Sequence, residues 1–230
     1  MNSLIAAGAD VNASLPTGET ALIFAARVGD IAIATALLDA GANVDAAGTA
    51  ATPISGTALH WAGYYADQEM ARLLLSRGAD INARNAEGMT PLMTALYYGR
   101  GGRGGSVALL LMEHGADVGV SDCFGGTALS YVANLVDEPT SVLLADKIIA
   151  GGARIDTRMV GGRTPLIAAI ARGREQLVRL LLNRGADPTA RTDDGRSAAE
   201  LVMASVPPEW VDEKRRDRIA ELLRQAGVQG

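Results

Sequence analysis

The sequence predicts an all-α solenoid of stacked helix-turn-helix units with β-turn fingers, and three observations lead there. A Gly-Ala pair recurs at Gly8, Gly41, Gly78, Gly115, Gly152 and Gly185, at intervals of 33, 37, 37, 37 and 33 residues. A Thr or Ser followed by Pro or Ala, and usually Leu, recurs at Thr20, Thr57, Thr90, Thr127, Thr164 and Ser197 with the same basic period, broken only by insertions of four residues. Aromatic residues make up only 4% of the chain while Ala, Leu and Gly are plentiful, a mix suited to closely packed short helices joined by many turns. A fixed period of this length marks a repeat architecture.

One unit, residues 161–191, gives the physical reason for each element. Thr164 caps a first helix, and Pro165 stands at its first position, where a missing N–H costs nothing. Leu166, Ala169 and Ile170 share one face, and Gly173 breaks the helix after two turns. Glu175 near the next N-terminus and Arg184 near its end suit the helix dipole, and Leu177, Leu180 and Leu181 form the apolar face. Gly185 supplies the left-handed residue that ends the second helix. Asp187 to Arg191 then read as an extended or turn-like finger.

These units resemble the ankyrin repeat. The motifs that carry the resemblance are Gly18-Glu-Thr-Ala-Leu with Gly41-Ala-Asn, Gly56-Thr-Ala-Leu-His-Trp-Ala with Gly78-Ala-Asp-Ile-Asn82, Gly88-Met-Thr-Pro-Leu, and Gly162-Arg-Thr-Pro-Leu. The resemblance covers Leu4 to about Val202 and implies one domain: a partial N-terminal unit (1–13), five full repeats (14–190) and a C-terminal capping unit (191–230). Residues 1–12 read as the tail of a second helix followed by GADVN, so the sequence is expected to start inside a repeat, with either further residues upstream or a short N-terminal cap. At the other end an enlarged link, Ser205 to Trp210, leads to a charged helix, about Asp212 to Gln225, that keeps Ile219, Leu222 and Leu223 for packing, as a terminal cap must.

Composition narrows the function classes. Residues 1–150 carry 7 basic and 15 acidic side chains, net −8, while residues 151–230 carry 14 and 11, net +3. An acidic larger part argues against a general nucleic-acid binder, because phosphate contacts supply most non-specific affinity, and favours a basic partner. The longest apolar runs, such as Val107 to Met112, are too short to span a bilayer, and MNSLIAAGAD has no basic n-region. A single cysteine, Cys123, fits a reducing cytoplasm. The excess of Arg over Lys points to a GC-rich, bacterial genome.

The sequence offers no catalytic site and predicts no cofactor and no metal site. It contains no H-E-x-x-H, C-x-x-C, G-x-S-x-G or P-loop motif. His60 stands at the family's T-x-L-H position, where the resemblance implies a hydrogen bond between repeats; His114 occupies a polar helix end. A Cys123–His114 nucleophile lacks a third group to orient it. Asp10, Asp80, Asp117 and Asp187 all follow Gly-Ala, where an Asp side chain bonds nearby backbone N–H groups. Gly99, Gly101 and Gly104 complete a G-x-G-x-x-G, but the repeat's first helix takes the place of the strand that a phosphate loop requires.

The resemblance also implies that finger tips and first-helix ends line a concave groove. The helix-end pairs are Arg27-Val28, Tyr64-Tyr65, Tyr97-Tyr98, Asn134-Leu135 and Ala171-Arg172, so four of the five tyrosines fall at one repeat position. Stacking of neighbouring units predicts an aromatic patch, and tyrosine is favoured at interfaces for its rigid area and hydroxyl. Trp61 reads as packing. Glu19, Glu87, Met89, Phe124, Arg158 and Arg163 fall at the fingers. The insertions fall between helices, at Gly101–Ser106 and around Asp137–Thr140, with the Arg100/Arg103 loop at the edge opposite the groove and beside Asp137 and Glu138; residues 48–55 enlarge one finger.

The sequence therefore predicts a monomeric, non-enzymatic protein-interaction module with another protein as partner. Tyr64, Tyr65, Tyr97, Tyr98, Phe124, Met89, Glu87, Arg158, Arg163 and Arg172 are the expected contacts. A bacterial inhibitor or immunity protein that blocks a toxin or enzyme is the alternative.

Overall fold

Repeat by repeat, a Thr or Ser at the expected place starts each inner helix. A computed structural model of the chain describes residues 7–48, 54–204 and 213–227. These fall into two compact units, residues 1–117 and 118–230. The expected helix tail at residues 1–6, residues 49–53 of the finger expected to be enlarged, the expected link at residues 205–212 and residues 228–230 lie outside the described residues.

In the first unit, the inner row is α1 (Ala21–Val28), α3 (Ala58–Tyr65) and α5 (Pro91–Tyr97), and the outer row is α2 (Ile31–Asp39), α4 (Gln68–Ser76) and α6 (Gly105–Glu113). A short 3-10 turn, Arg100–Gly102, precedes α6. Neighbouring helices of each row pack side by side, and each inner helix packs on its own outer partner. In the second unit, the inner row is α7 (Ala128–Tyr131) continued by a 3-10 turn (Val132–Asn134), then α9 (Pro165–Ala171) and α11 (Ala198–Ala204). Its outer row is α8 (Glu138–Ala150), α10 (Glu175–Asn183) and the terminal α12 (Glu213–Gln225). Among the described residues the only β pairing is three isolated bridges at finger bases.

Capping sets the helix starts. The hydroxyls of Thr20, Thr90 and Thr164 accept the N–H groups of Ile23, Met93 and Ile167. Thr57 with His60, and Thr127 with Ser130, close reciprocal boxes, each cap contributing about 1 kcal/mol. Asp30, Asp67 and Asp137 do the same for α2, α4 and α8.

Burial supplies the rest. The inner helices are covered on several sides, so α3 is buried from Ala58 to Gly63 and α5 from Pro91 to Leu96. Outer helices bury one stripe, such as Met70, Ala71 and Leu74 on α4 or Leu177, Val178 and Leu181 on α10. Each buried leucine contributes about 2 kcal/mol. Small residues let inner helices approach: a Cβ on Gly63 would lie 3.0 Å from the Pro91 carbonyl oxygen. In the terminal helix, Ile219 and Leu223 are buried and Leu222 is half-buried.

The two insertions take different forms. In the third repeat the extra residues lie in the glycine loop, as predicted. In the fourth they do not lie between the helices: Asp137 caps α8 as Asp30 and Asp67 cap their helices, and α8 has 13 residues where α2, α4, α6 and α10 have 9. Four residues add about one helical turn. Nothing in EPTSVLLADKIIA breaks a helix, Pro139 being tolerated in the first turn, whereas GRGGRGG does break one.

Fingers close by a common bond, from the N–H of Leu15, Asn85, Asp122, Met159 and Thr192 to the carbonyl four residues on. Asx turns organise the approach to them, with Asp10, Asp80 and Asp187 accepting N–H bonds from two residues ahead, as predicted. A second set of bonds links one repeat to the next. Asn12 accepts from Asn43 N–H, Asp45 from Asp80, Asn82 from Asp117, and Asp156 from Asp187, at 2.7 to 3.0 Å. The corresponding position before Arg154 is Gly119, which has no side chain to offer.

Candidate functional site

The inner-helix ends of the first unit carry a continuous aromatic surface. Tyr64 and Tyr65 end α3, Tyr97 ends α5, and Tyr98 is its cap. Tyr64 meets Tyr65 edge-to-face at 4.9 Å, Tyr97 meets Tyr98 at 4.5 Å, and Tyr64 lies 6.0 Å from Tyr98, joining the two repeats. Trp61, one turn earlier on α3, stacks on Tyr65 at 6.1 Å and meets Tyr64 at 5.8 Å. It is buried, as its reading as packing predicted, and it forms the base of the cluster. Such pairs contribute about 0.5–1.5 kcal/mol each beyond their area.

Two arginines extend the stack. The Arg27 guanidinium lies 4.7 Å above Trp61 and 5.2 Å from Phe24, and its NH1 is 2.7 Å from Glu19 Oε1. Arg100 lies 5.8 Å over the Tyr65 ring. The order is therefore Phe24, Arg27, Trp61, Tyr65, Arg100, with each cation lying against ring faces and the two middle rings stacked on each other. The placement of Arg100 corrects one expectation: the glycine loop brings this residue to the tyrosines rather than to an opposite edge. Asp137 and Glu138 are engaged within the second unit, on Thr140 and the Gln176 N–H.

The loop glycines have a packing reason. A Cβ on Gly104 would lie 1.9 Å from the Ala95 carbonyl oxygen, and one on Gly99 would lie 2.2 Å from it. Only glycine lets the loop fold this tightly against α5. The glycine motif thus serves the turn between α5 and α6.

The other expected contacts divide. Glu87 accepts a bond from Tyr98 Oη at 3.4 Å and borders the aromatic surface. Met89 is 1% exposed and belongs to the core, which removes it from the accessible set. It is the residue on which its finger closes, and its N–H also bonds Asn85 Oδ1, which turns its side chain into the stack. Leu135 is buried too, so the helix-end rule fails in the fourth repeat. Phe124, Arg158, Arg163 and Arg172 are exposed and belong to the second unit. Arg158 pairs with Asp193 at 3.1 Å and bonds the Arg191 carbonyl.

Sequence reasoning missed Phe24, which is 40% exposed. The available signal was its register: Phe24 stands 37 residues before Trp61, at the same repeat position. The fifth tyrosine, Tyr131, stands at that position in the fourth repeat and turns inward, its hydroxyl donating to the buried Asp122.

The two histidines are held differently, His60 buried and bonded at both ring nitrogens, His114 exposed and bonded at one. The Thr57 N–H donates to His60 Nδ1 at 3.2 Å, so the ring proton sits on Nε2, which donates to the Met89 carbonyl at 3.0 Å. This is the inter-repeat bond that the resemblance implied. Burial pushes the His60 pKa down to about 4, against smaller opposing contributions from its hydrogen bonds. His114 Nδ1 bonds the Leu110 carbonyl at 2.9 Å, while Cys123 is exposed on a finger tip of the second unit. Among the described residues no group of His, Cys, Asp and Glu side chains is placed to hold a metal ion, and no helix is long and apolar enough to cross a membrane.

The family model for ankyrin repeats (3 copies) matches residues 1–85, 55–122 and 100–192, and the chain belongs to the ankyrin-repeat family. Members of this family are generally protein-interaction modules rather than enzymes. Two ADP-ribosylation factor GTPase-activating proteins of Arabidopsis thaliana are similar to it. AGD4 is 37% identical over 81 residues, 35% of this chain and 10% of that protein, and AGD2 is 35% identical over 82 residues, 36% and 10%. The chain thus spans about a tenth of the length of these relatives. Among solved structures, the human ASB11 ankyrin repeat domain has a TM-score of 0.74 at 23% identity, covering 100% of this chain and 92% of that one. The ankyrin repeat domain of Bcl-3, a member of the IkappaB protein family, has a TM-score of 0.67 at 24% identity, covering 97% and 90%. At these identities the likeness is one of fold.

Proposed function

We propose that this chain captures a partner protein, without catalysis, on the aromatic surface of its first unit. The observation that carries the reading is the unbroken run of Phe24, Arg27, Trp61, Tyr64, Tyr65, Tyr98 and Tyr97 across three repeats. Its rings already hold one another, so a partner that covers them loses little side-chain freedom from this side, and that favours affinity. Tyr97 is 44% exposed and Phe24 40% exposed, marking the two ends of the contact area. Glu19 and Glu87 border it with negative charge, one held by Arg27 and the other beside Tyr98.

The test is affinity capture from the native host with the intact chain as bait, followed by mass spectrometry. A variant with Tyr64, Tyr65, Tyr97 and Tyr98 all changed to Ala runs in parallel. The expected result is a partner captured by the wild type and lost by the variant, with helical circular dichroism retained. Equal capture by both overturns the assignment of this surface.

A further inference from the structure

The second unit carries a separate arrangement on its fingers. Its tips, residues 123–125, 160–162 and 193–195, are joined sideways. Val160 N–H donates to the Phe124 carbonyl at 2.8 Å and Asp193 N–H to the Gly161 carbonyl at 3.0 Å. The approach is close enough that a Cβ on Gly162 would lie 2.5 Å from the Asp193 nitrogen. Phe124 and Val160 point outward from this clamped row, 45% and 71% exposed. Two large apolar side chains on adjacent tips have little reason to face water together unless something covers them.

Beside the last two tips lies a cleft of about 530 Å³. Ile167 and Leu201, both buried, form its floor, Val160 its lip, and Arg163, Asp193, Asp194 and Arg196 its charged rim. Three of the four rim charges are already matched. Asp193 pairs with Arg158, and Asp194 pairs with Arg196. The Asp194 carboxyl is held down to about 2 by its bonds from Arg196 first and Thr192 second, so it stays ionised. Arg163 forms no ion pair among the described residues, while Arg158, Arg191 and Arg196 around it each have one. The cleft therefore combines an apolar floor with a guanidinium that pairs with no carboxylate among the described residues, and whose forked donors suit a carboxylate.

We propose that the finger side of the second unit binds an extended acidic peptide segment of a partner protein. One aliphatic or aromatic side chain of the segment enters the cleft, a neighbouring Asp or Glu reaches Arg163, and the adjoining residues lie on Val160 and Phe124. This rests on the reading of the chain as a protein binder and gives it a second contact with its own chemistry. An apolar cleft with one directing charge sets both register and direction along a peptide.

A phage-displayed random heptapeptide library panned on the intact chain tests this, with enriched peptides then synthesised with a fluorescein label and measured by anisotropy. Enriched sequences are expected to share an apolar residue within two positions of Asp or Glu. Arg163→Ala should weaken them about fivefold, the upper end for an exposed ion pair, as should changing the peptide's acidic residue to its amide. Val160→Asp, at an exposed position, should weaken binding further by removing the lip and repelling the carboxylate. Failure to enrich acidic sequences, or affinity unchanged in both variants, overturns the proposal. Affinity lost only in the four-tyrosine variant also overturns it, while leaving the aromatic surface of the first unit as the binding site.

Discussion

At one repeat position the two units put aromatic residues to opposite uses. In the first, Phe24 and Trp61 hold Arg27 between them and support a surface of tyrosines. In the second, Tyr131 turns its hydroxyl inward to Asp122 and is buried. The fastenings between repeats differ as well. The first unit uses a buried neutral histidine and an unbroken row of Asn and Asp side chains at Asn12, Asp45 and Asn82. The second relies on charge: Arg174 donates to the carbonyls of Ala133, Leu135 and Val136, and Glu138 accepts the Gln176 N–H. Net charge follows the same division, with 6 basic and 11 acidic residues in 1–117 against 15 and 15 in 118–230. A repeat thus fixes which positions touch, and leaves the chemistry of each touch open.

Breaking the histidine should have the largest effect. His60→Ala leaves the Thr57 N–H without its acceptor, strips the Met89 carbonyl of one of its two donors and opens a cavity, costing about 3 kcal/mol. Urea unfolding followed by circular dichroism measures it. The same residue predicts a pH dependence. Its folded pKa of about 4 lies below the unfolded value of 6.5, so the unfolded chain takes up the proton first. Stability is then complete above about pH 6.5 and declines toward pH 4, by about 3 kcal/mol in all. In the alanine variant this part of the pH profile should vanish.

Arg174→Met tests the charged fastening. Half-burial already lowers the guanidinium pKa, and removing it leaves three carbonyls of the preceding repeat without its donors. A loss of about 2 kcal/mol is expected. Faster amide exchange should be confined to the second unit, at helix ends next to Leu135 and Gln176. Exchange that rises equally in both units would contradict a local role.

Tyr131→Phe is milder. It removes one hydroxyl from a buried carboxylate and should cost about 1–2 kcal/mol. Tyr64→Phe should change stability by less than about 0.5 kcal/mol. Thermal melts of the two variants compare the buried tyrosine with an accessible one directly.

The smallest change runs the other way. Gly119→Asn supplies the acceptor that the second unit lacks before Arg154, as Asn82 supplies it for Asp117. A gain of about 0.5–1 kcal/mol is expected, read as a raised melting temperature. An unchanged melt would mean that the row of side chains contributes little in either unit.

Much of this was legible in the sequence because a repeat prints its contacts many times. Thr164 and Pro165 announce a helix start wherever they stand, and the equal spacing of Tyr64-Tyr65 and Tyr97-Tyr98 placed four rings at one position. Met89 was misplaced because a finger position says nothing about which way its side chain turns; the bonds to Asn85 decide that. The fourth repeat was misread for a related reason, since an insertion of four residues adds a helical turn or a loop without changing the count.

The sequence alone determined the family, the helices, their caps and the tyrosine register, because these follow from local propensity repeated at a fixed period. Only the tertiary structure decided that Arg27 and Arg100 join the aromatic stack, that Arg174 reaches back to three carbonyls, and that Arg163 stands without an ion pair among the described residues. Each of these depends on long, flexible side chains meeting groups outside their own repeat. Their reach exceeds the spacing between repeats of about 10 Å, so position along the chain does not say which neighbour they find.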